Sequence, residues 1–90
     1  MLVALIAWDK PNELQTRIAN RDAHLAYINE TGVVQQAGPF LSEDGQMIGS
    51  MIVLDVDDMN AAERWAENDP YAKAGLFGSV RLAPWKRVIG

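Results

Sequence analysis

The chain has no cysteine among its 90 residues. That removes disulfide bonding, thiolate nucleophiles and zinc sites of the usual kind. It has one histidine, so any imidazole chemistry rests on His24. Basic residues are outnumbered: 8 Lys and Arg against 12 Asp and Glu leave a net charge of −4, which argues against nucleic acid and against an anionic membrane surface as partners. No apolar run approaches the ~20 residues of a membrane span. The apolar start, Met1 to Trp8, is too short for one and lacks the basic leader of a signal peptide, so a cytoplasmic address is expected. P-loop, dinucleotide and nucleophile-elbow motifs are missing. Glu43, Asp44, Asp55, Asp57 and Asp58 do not follow the spacing of an EF-hand or a metal cluster. Neither a metal nor an organic cofactor is expected.

What is present reads as one globular domain over residues 1–90, with no repeat and no linker. Residues 2–8 are apolar on both alternating faces, as in a strand covered on two sides. Asp9-Lys10-Pro11-Asn12 is a turn, and Asn12 with Gln15 suits a capping-box start for a helix over 13–31 that stops at Gly32. A strand follows from Val33 to Phe40, its end or a bulge marked by Gly38-Pro39. Ser42-Glu43-Asp44-Gly45 signals a hairpin into Met47 to Val56, again apolar on both faces. Asp58 caps a second helix through about Glu67, with Met59, Ala62, Trp65 and Ala66 pointing inward. Asp69-Pro70 starts one more turn ending near Gly75, and Leu76 to Val88 forms the last strand, with Pro84 at a sheet edge. The order β-α-β-β-α-β is the α+β, ferredoxin-like arrangement: one antiparallel sheet with two helices on one face. The other sheet face is then apolar and bare, which predicts a homodimer packed sheet to sheet.

The chemistry centres on the first helix. Its apolar stripe is Leu14, Ile18, Leu25 and Ile28. At about 100° per residue Arg21 falls in the middle of that stripe, with Arg17 and His24 on its flank. Cations facing a core need an acid or an anionic ligand to meet them. His24 suits general acid or base work, because imidazole exchanges protons near neutrality, and the arginines could hold an anionic substrate. A bland reading stands beside this one: arginine stems snorkelling over the core, with His24 as a satisfied side chain. Asp69 is the leading candidate to orient His24, although Asp before Pro is also an ordinary helix cap. Asp9 and Asp44 read as turn residues. Ser50 is either a satisfied core hydroxyl or a pocket group, and Trp8, Trp65, Trp85 and Phe77 read as packing.

The set Arg17, Arg21-x-x-His24-Leu25, Ala37-Gly38-Pro39, Gly49-Ser50, Trp65-Ala66-x-x-Asp69-Pro70-Tyr71, Ala74-Gly75 and Pro84-Trp85-Lys86 resembles the YciI-like (YCII-related) family. The resemblance runs from Asp9-Lys10 to the last strand. It implies a ferredoxin-like fold that dimerises into a shared α+β barrel, with a His-Asp dyad as its site. That dyad carries over to His24 and Asp69, with Arg17, Arg21, Ser50, Gly38 and Pro39 expected around a small anionic or phenolic substrate. A member of the family eliminates chloride from a chlorinated hydroxyquinol, so the resemblance implies a cofactor-independent lyase or isomerase acting on a hydroxylated aromatic or cyclic enol. Two rivals differ in class. One is a non-catalytic module that binds a small metabolite. The other is a purely structural salt-bridge network in which Arg21 pairs with Asp69 or Glu67.

Overall fold

The computed structural model describes all 90 residues. They form β1 (Leu2–Asp9), α1 (Leu14–Thr31), β2 (Val34–Leu41), β3 (Met47–Asp55), α2 (Met59–Asn68), α3 (Pro70–Lys73) and β4 (Phe77–Trp85). The sheet is antiparallel throughout, in the order β2-β3-β1-β4. Period-two side-chain alternation explains the layers. Val3, Leu5 and Ala7 of β1, with Ile52 and Leu54 of β3, turn to one face and pack on Ala62 and Trp65 of α2; Tyr27 and Ile28 of α1 close the same cluster. Both longer helices therefore lie on one face, as the element order predicts.

Local chemistry sets the boundaries. Asp58 caps α2 by accepting from the Ala61 N–H at 2.8 Å, and Gly32 ends α1 in the left-handed conformation at φ 67°. The start of α1 differs from expectation. Asn12 sits at φ 63°, Glu13 occupies the cap position, and no side chain caps the helix; the Glu13 carboxylate instead accepts from the Thr16 hydroxyl. Gly38-Pro39 lies inside β2 rather than at its end, with register shifts on either side. This is tolerated because β2 is an edge strand, where proline's missing N–H is not needed. β4 stops at Trp85, short of Val88, because Trp85 pairs with Leu2 and β1 begins there, leaving nothing beyond for the ladder to hold.

The largest correction concerns α1. Ile18 and Leu25 are half exposed, while the helix residues that are fully buried are Arg17 and His24. The inward stripe is Arg17, His24, Tyr27, Ile28 and Thr31, rotated by about one residue from the apolar stripe read in the sequence. Arg21 is exposed.

The face of the sheet away from the helices carries Ile6, Trp8, Phe40, Met51 and Trp85. Trp8 and Phe40 stack there with ring centroids 4.4 Å apart. Gly49 makes room for that stack: a Cβ on it would lie 2.5 Å from the Ala7 carbonyl oxygen and 3.1 Å from each ring.

Candidate active site

Asp9 closes β1 at a register irregularity, and its side chain is nearly sealed from solvent. Arg17, one turn into α1, meets it as a two-pronged pair: Nε donates to Oδ2 and Nη2 to Oδ1, both at 2.8 Å. Nη2 also donates to the Ser50 hydroxyl at 2.9 Å. Burial works against the guanidinium's charge, yet the hydrogen bonds and charge of Asp9 outweigh it and hold the Arg17 pKa above its usual value. The fork geometry matches a carboxylate in a way lysine could not.

Two turns further along, His24 Nδ1 lies 2.7 Å from Asp69 Oδ1. A carboxylate only accepts, so this partner assigns the ring hydrogen to Nδ1 and leaves Nε2 with its lone pair. Nε2 has no hydrogen-bond partner in the protein and is not sealed away. Asp69 holds its position because the same Oδ1 caps α3, accepting from the Tyr71 N–H at 3.0 Å. The plain helix-cap role and the orienting role are both present, on one oxygen. Asp69 Oδ2 is buried without a partner, a negative charge aimed at no protein donor and well suited to stabilising an imidazolium.

Tyr71 completes the wall. It is buried, stacks on the His24 ring with centroids 3.9 Å apart and planes 16° apart, and packs its edge on Phe77. The Arg17 guanidinium stands 4.8 Å from its ring centroid, within cation–π range. Burial raises the phenol's pKa; Arg17 and Arg21 pull it back without cancelling the rise.

These groups face one cavity of about 200 Å³ between α1 and the β2–β3 hairpin. Arg17, Arg21, His24, Ser50, Gly38 and Pro39 all line it, with Tyr71 beside them. Asp69 stands behind His24 rather than in the lining. Both arginines line the cavity, but Arg17 commits Nε and Nη2 to Asp9 and Ser50, which leaves only Nη1 for a ligand. Arg21 is the cation on the cavity that makes no ion pair. The structural rival is corrected in its partners: Arg21 pairs with neither Asp69 nor Glu67, and the internal pairs are Arg17–Asp9 and His24–Asp69.

Sequence reasoning missed Asp9 and Tyr71. Asp9 was legible as an acid ending an apolar strand, eight residues before a cation that needed one. Tyr71 follows the Asp-Pro cap directly, so whatever places Asp69 beside His24 also places the phenol there. The available chemistry is a fixed imidazole nitrogen, a free cation and two hydroxyl groups, of Ser50 and Tyr71, around a small hollow. The lining is half apolar, which suits a flat, oxygenated ring.

Known proteins bear on this geometry. The sequence profile of the YCII-related domain matches residues 1–86. Protein YciI of Escherichia coli O6:H1 is 33% identical across an alignment of 98 residues, covering 99% of this chain and 100% of that protein. The crystal structure of 5-chloro-2-hydroxyhydroquinone dehydrochlorinase from Burkholderia phenoliruptrix, in complex with 2,5-dihydroxybenzoquinone, is 36% identical and superposes with a TM-score of 0.87 over 96% of this chain and 94% of that one. PA3566 from Pseudomonas aeruginosa, 14% identical with a TM-score of 0.60 over 98% and 93% of the two chains, shares the fold alone. A profile covering nearly every residue and a full-length relative at one-third identity agree with the fold derived above, and the chain belongs to the YCII-related domain family.

Proposed function

We propose that this protein is a cofactor-independent lyase that removes HCl from a chlorinated hydroxyquinol, with His24 carrying the protons. The observation that carries the reading is the buried His24–Asp69 pair at 2.7 Å, its far nitrogen open to a cavity sized for one small ring. The complex of the 36% identical dehydrochlorinase with a dihydroxybenzoquinone supports the substrate class.

The chemistry balances without a further reactant. His24 Nε2 takes a proton from a ring hydroxyl and returns it to the carbon bearing chlorine, giving the keto tautomer. It then takes a second hydroxyl proton as the C–Cl electron pair leaves with chloride. The ring becomes a hydroxybenzoquinone, and the net loss is HCl. Asp69 fixes the tautomer and steadies the imidazolium in both steps, and Arg21 attends the anion. The acting unit in this reading is a homodimer joined through the open sheet face, supported by the apolar surface of Trp8, Met51 and Trp85 there.

The test is chloride release from 5-chloro-2-hydroxyhydroquinone. Wild type turns it over, and His24→Ala loses on the order of 10²- to 10⁴-fold in rate, the usual worth of a positioned acid/base. Equal rates in the two proteins refute the mechanism. A rise in melting temperature with the quinone but no chloride from wild type identifies a binding module instead.

A further inference from the structure

Tyr71 occupies a position that the proton-transfer scheme does not use. Its side chain is almost wholly buried, lines the cavity and stacks on the imidazole proposed to move protons. The ring is fixed on three sides: by His24, by the edge contact with Phe77 and by the Arg17 guanidinium. Its hydroxyl donates no hydrogen bond to the protein, and the Arg17 guanidinium stands near enough to donate to it. A phenol oxygen that accepts from a guanidinium keeps its own O–H, so this one, fixed on the cavity wall, has a proton to offer a ligand.

The field around the phenol is mixed in a useful way. Burial holds the phenol's pKa above its usual value, and Arg17 and Arg21 temper that rise without cancelling it. The result is a hydroxyl that stays protonated at neutral pH and keeps a proton to donate, the requirement for stabilising charge that appears on a neighbouring oxygen. Of the other polar groups on the lining, Arg17 gives Nε and Nη2 to Asp9 and Ser50, and Arg21 sits at the exposed side; Tyr71 is the one stacked on the imidazole.

We propose that Tyr71 is a catalytic residue, its hydroxyl donating a hydrogen bond to the substrate oxygen that gains negative charge as His24 moves a proton. This rests on the reading of the site as one for a polyoxygenated ring. It narrows the substrate class to rings with two oxygens placed so that one meets the imidazole and another the phenol stacked on it.

The test is Tyr71→Phe, which keeps the stack, the edge contact and the cation–π geometry while deleting one oxygen. Two readouts are taken: steady-state chloride release from 5-chloro-2-hydroxyhydroquinone and equilibrium binding of 2,5-dihydroxybenzoquinone. The expected result is kcat lowered on the order of 10²-fold, the worth of one oxyanion donor, with quinone affinity weakened at least about 10-fold and the unliganded melting temperature held. Wild-type turnover together with a fully active Tyr71→Phe overturns the role of Tyr71 and leaves the lyase reading intact. If wild type releases no chloride, the lyase reading falls, and the quinone arm still decides on Tyr71: weakened binding supports its contact with the ring, while unchanged binding or no wild-type binding overturns it.

Discussion

A single carboxylate oxygen sets the geometry of the whole site. Asp69 Oδ1 caps α3 and holds His24 Nδ1, so the helix start and the imidazole's orientation share one atom. Asparagine caps helices about as well as aspartate but carries no charge to steady an imidazolium. Asp69→Asn is therefore expected to keep its melting temperature within a few degrees while losing on the order of 10²-fold or more in turnover; an equal fall in both would make the residue structural only. The second buried pair behaves oppositely. Arg17→Met strands the Asp9 carboxylate and is expected to cost about 3–5 kcal/mol in chemical denaturation, whereas replacing Arg17 and Asp9 together with apolar residues recovers most of that loss. The two tyrosines report on the same region. Burial raises the pKa of both Tyr27 and Tyr71, with the charge of Asp69 adding to the rise. Their folded pKa values lie above the unfolded one of about 10, so the stability they contribute is complete below that pH and is lost as pH rises past it. Tyrosinate absorbance is expected to emerge at higher pH in the folded protein than in denaturant; coincident curves would contradict the burial.

At the scale of elements, strands and caps were legible and the facing of α1 was not. The apolar alternation of Val3, Leu5 and Ala7, the Asp58 and Asp69 caps and the Gly32 stop each act through neighbours a few residues away, so the sequence reading finds them. Which side of α1 turns inward depends on Asp9 and Asp69, the latter 45 residues from His24 along the chain. Two carboxylates draw Arg17 and His24 inward at the expense of Ile18 and Leu25, a tertiary decision that helical periodicity does not encode. The candidate dyad was legible because family motifs carry it, while the partner of Arg17 was not, since Asp9 looked like one more turn residue. The hairpin of β2 and β3 makes a sharper packing prediction at Gly49. Adding a methyl group there meets the Ala7 carbonyl, which is backbone and cannot swing away. Gly49→Ala is expected to cost about 1–3 kcal/mol and to loosen the Trp8–Phe40 stack, checked by denaturation and near-ultraviolet circular dichroism; an unchanged midpoint would mean that the sheet relaxes freely.

At the scale of the molecule, one face of a four-stranded sheet is covered by helices and the other is not. Trp8 at 44% exposure and Met51 at 40% lie on the open face, apolar surface of the kind that partner chains cover. Sedimentation at micromolar concentration is expected to give twice the chain mass, reduced to one chain by Met51→Lys; a wild-type monomer would remove the sheet-to-sheet dimer. No helix is long and apolar enough to cross a membrane. In the proposed reaction one imidazole, pinned at Nδ1, offers Nε2 to an oxygenated ring. Because His24 is the chain's only histidine, nitrogen-15 magnetic resonance reads that imidazole without assignment ambiguity. The predicted spectrum has hydrogen on Nδ1 and a lone pair on Nε2, and titration with 2,5-dihydroxybenzoquinone moves the Nε2 resonance while leaving Nδ1 protonated. A neutral ring with hydrogen on Nε2 and Nδ1 bare, or an Nε2 signal indifferent to saturating quinone, would contradict that arrangement.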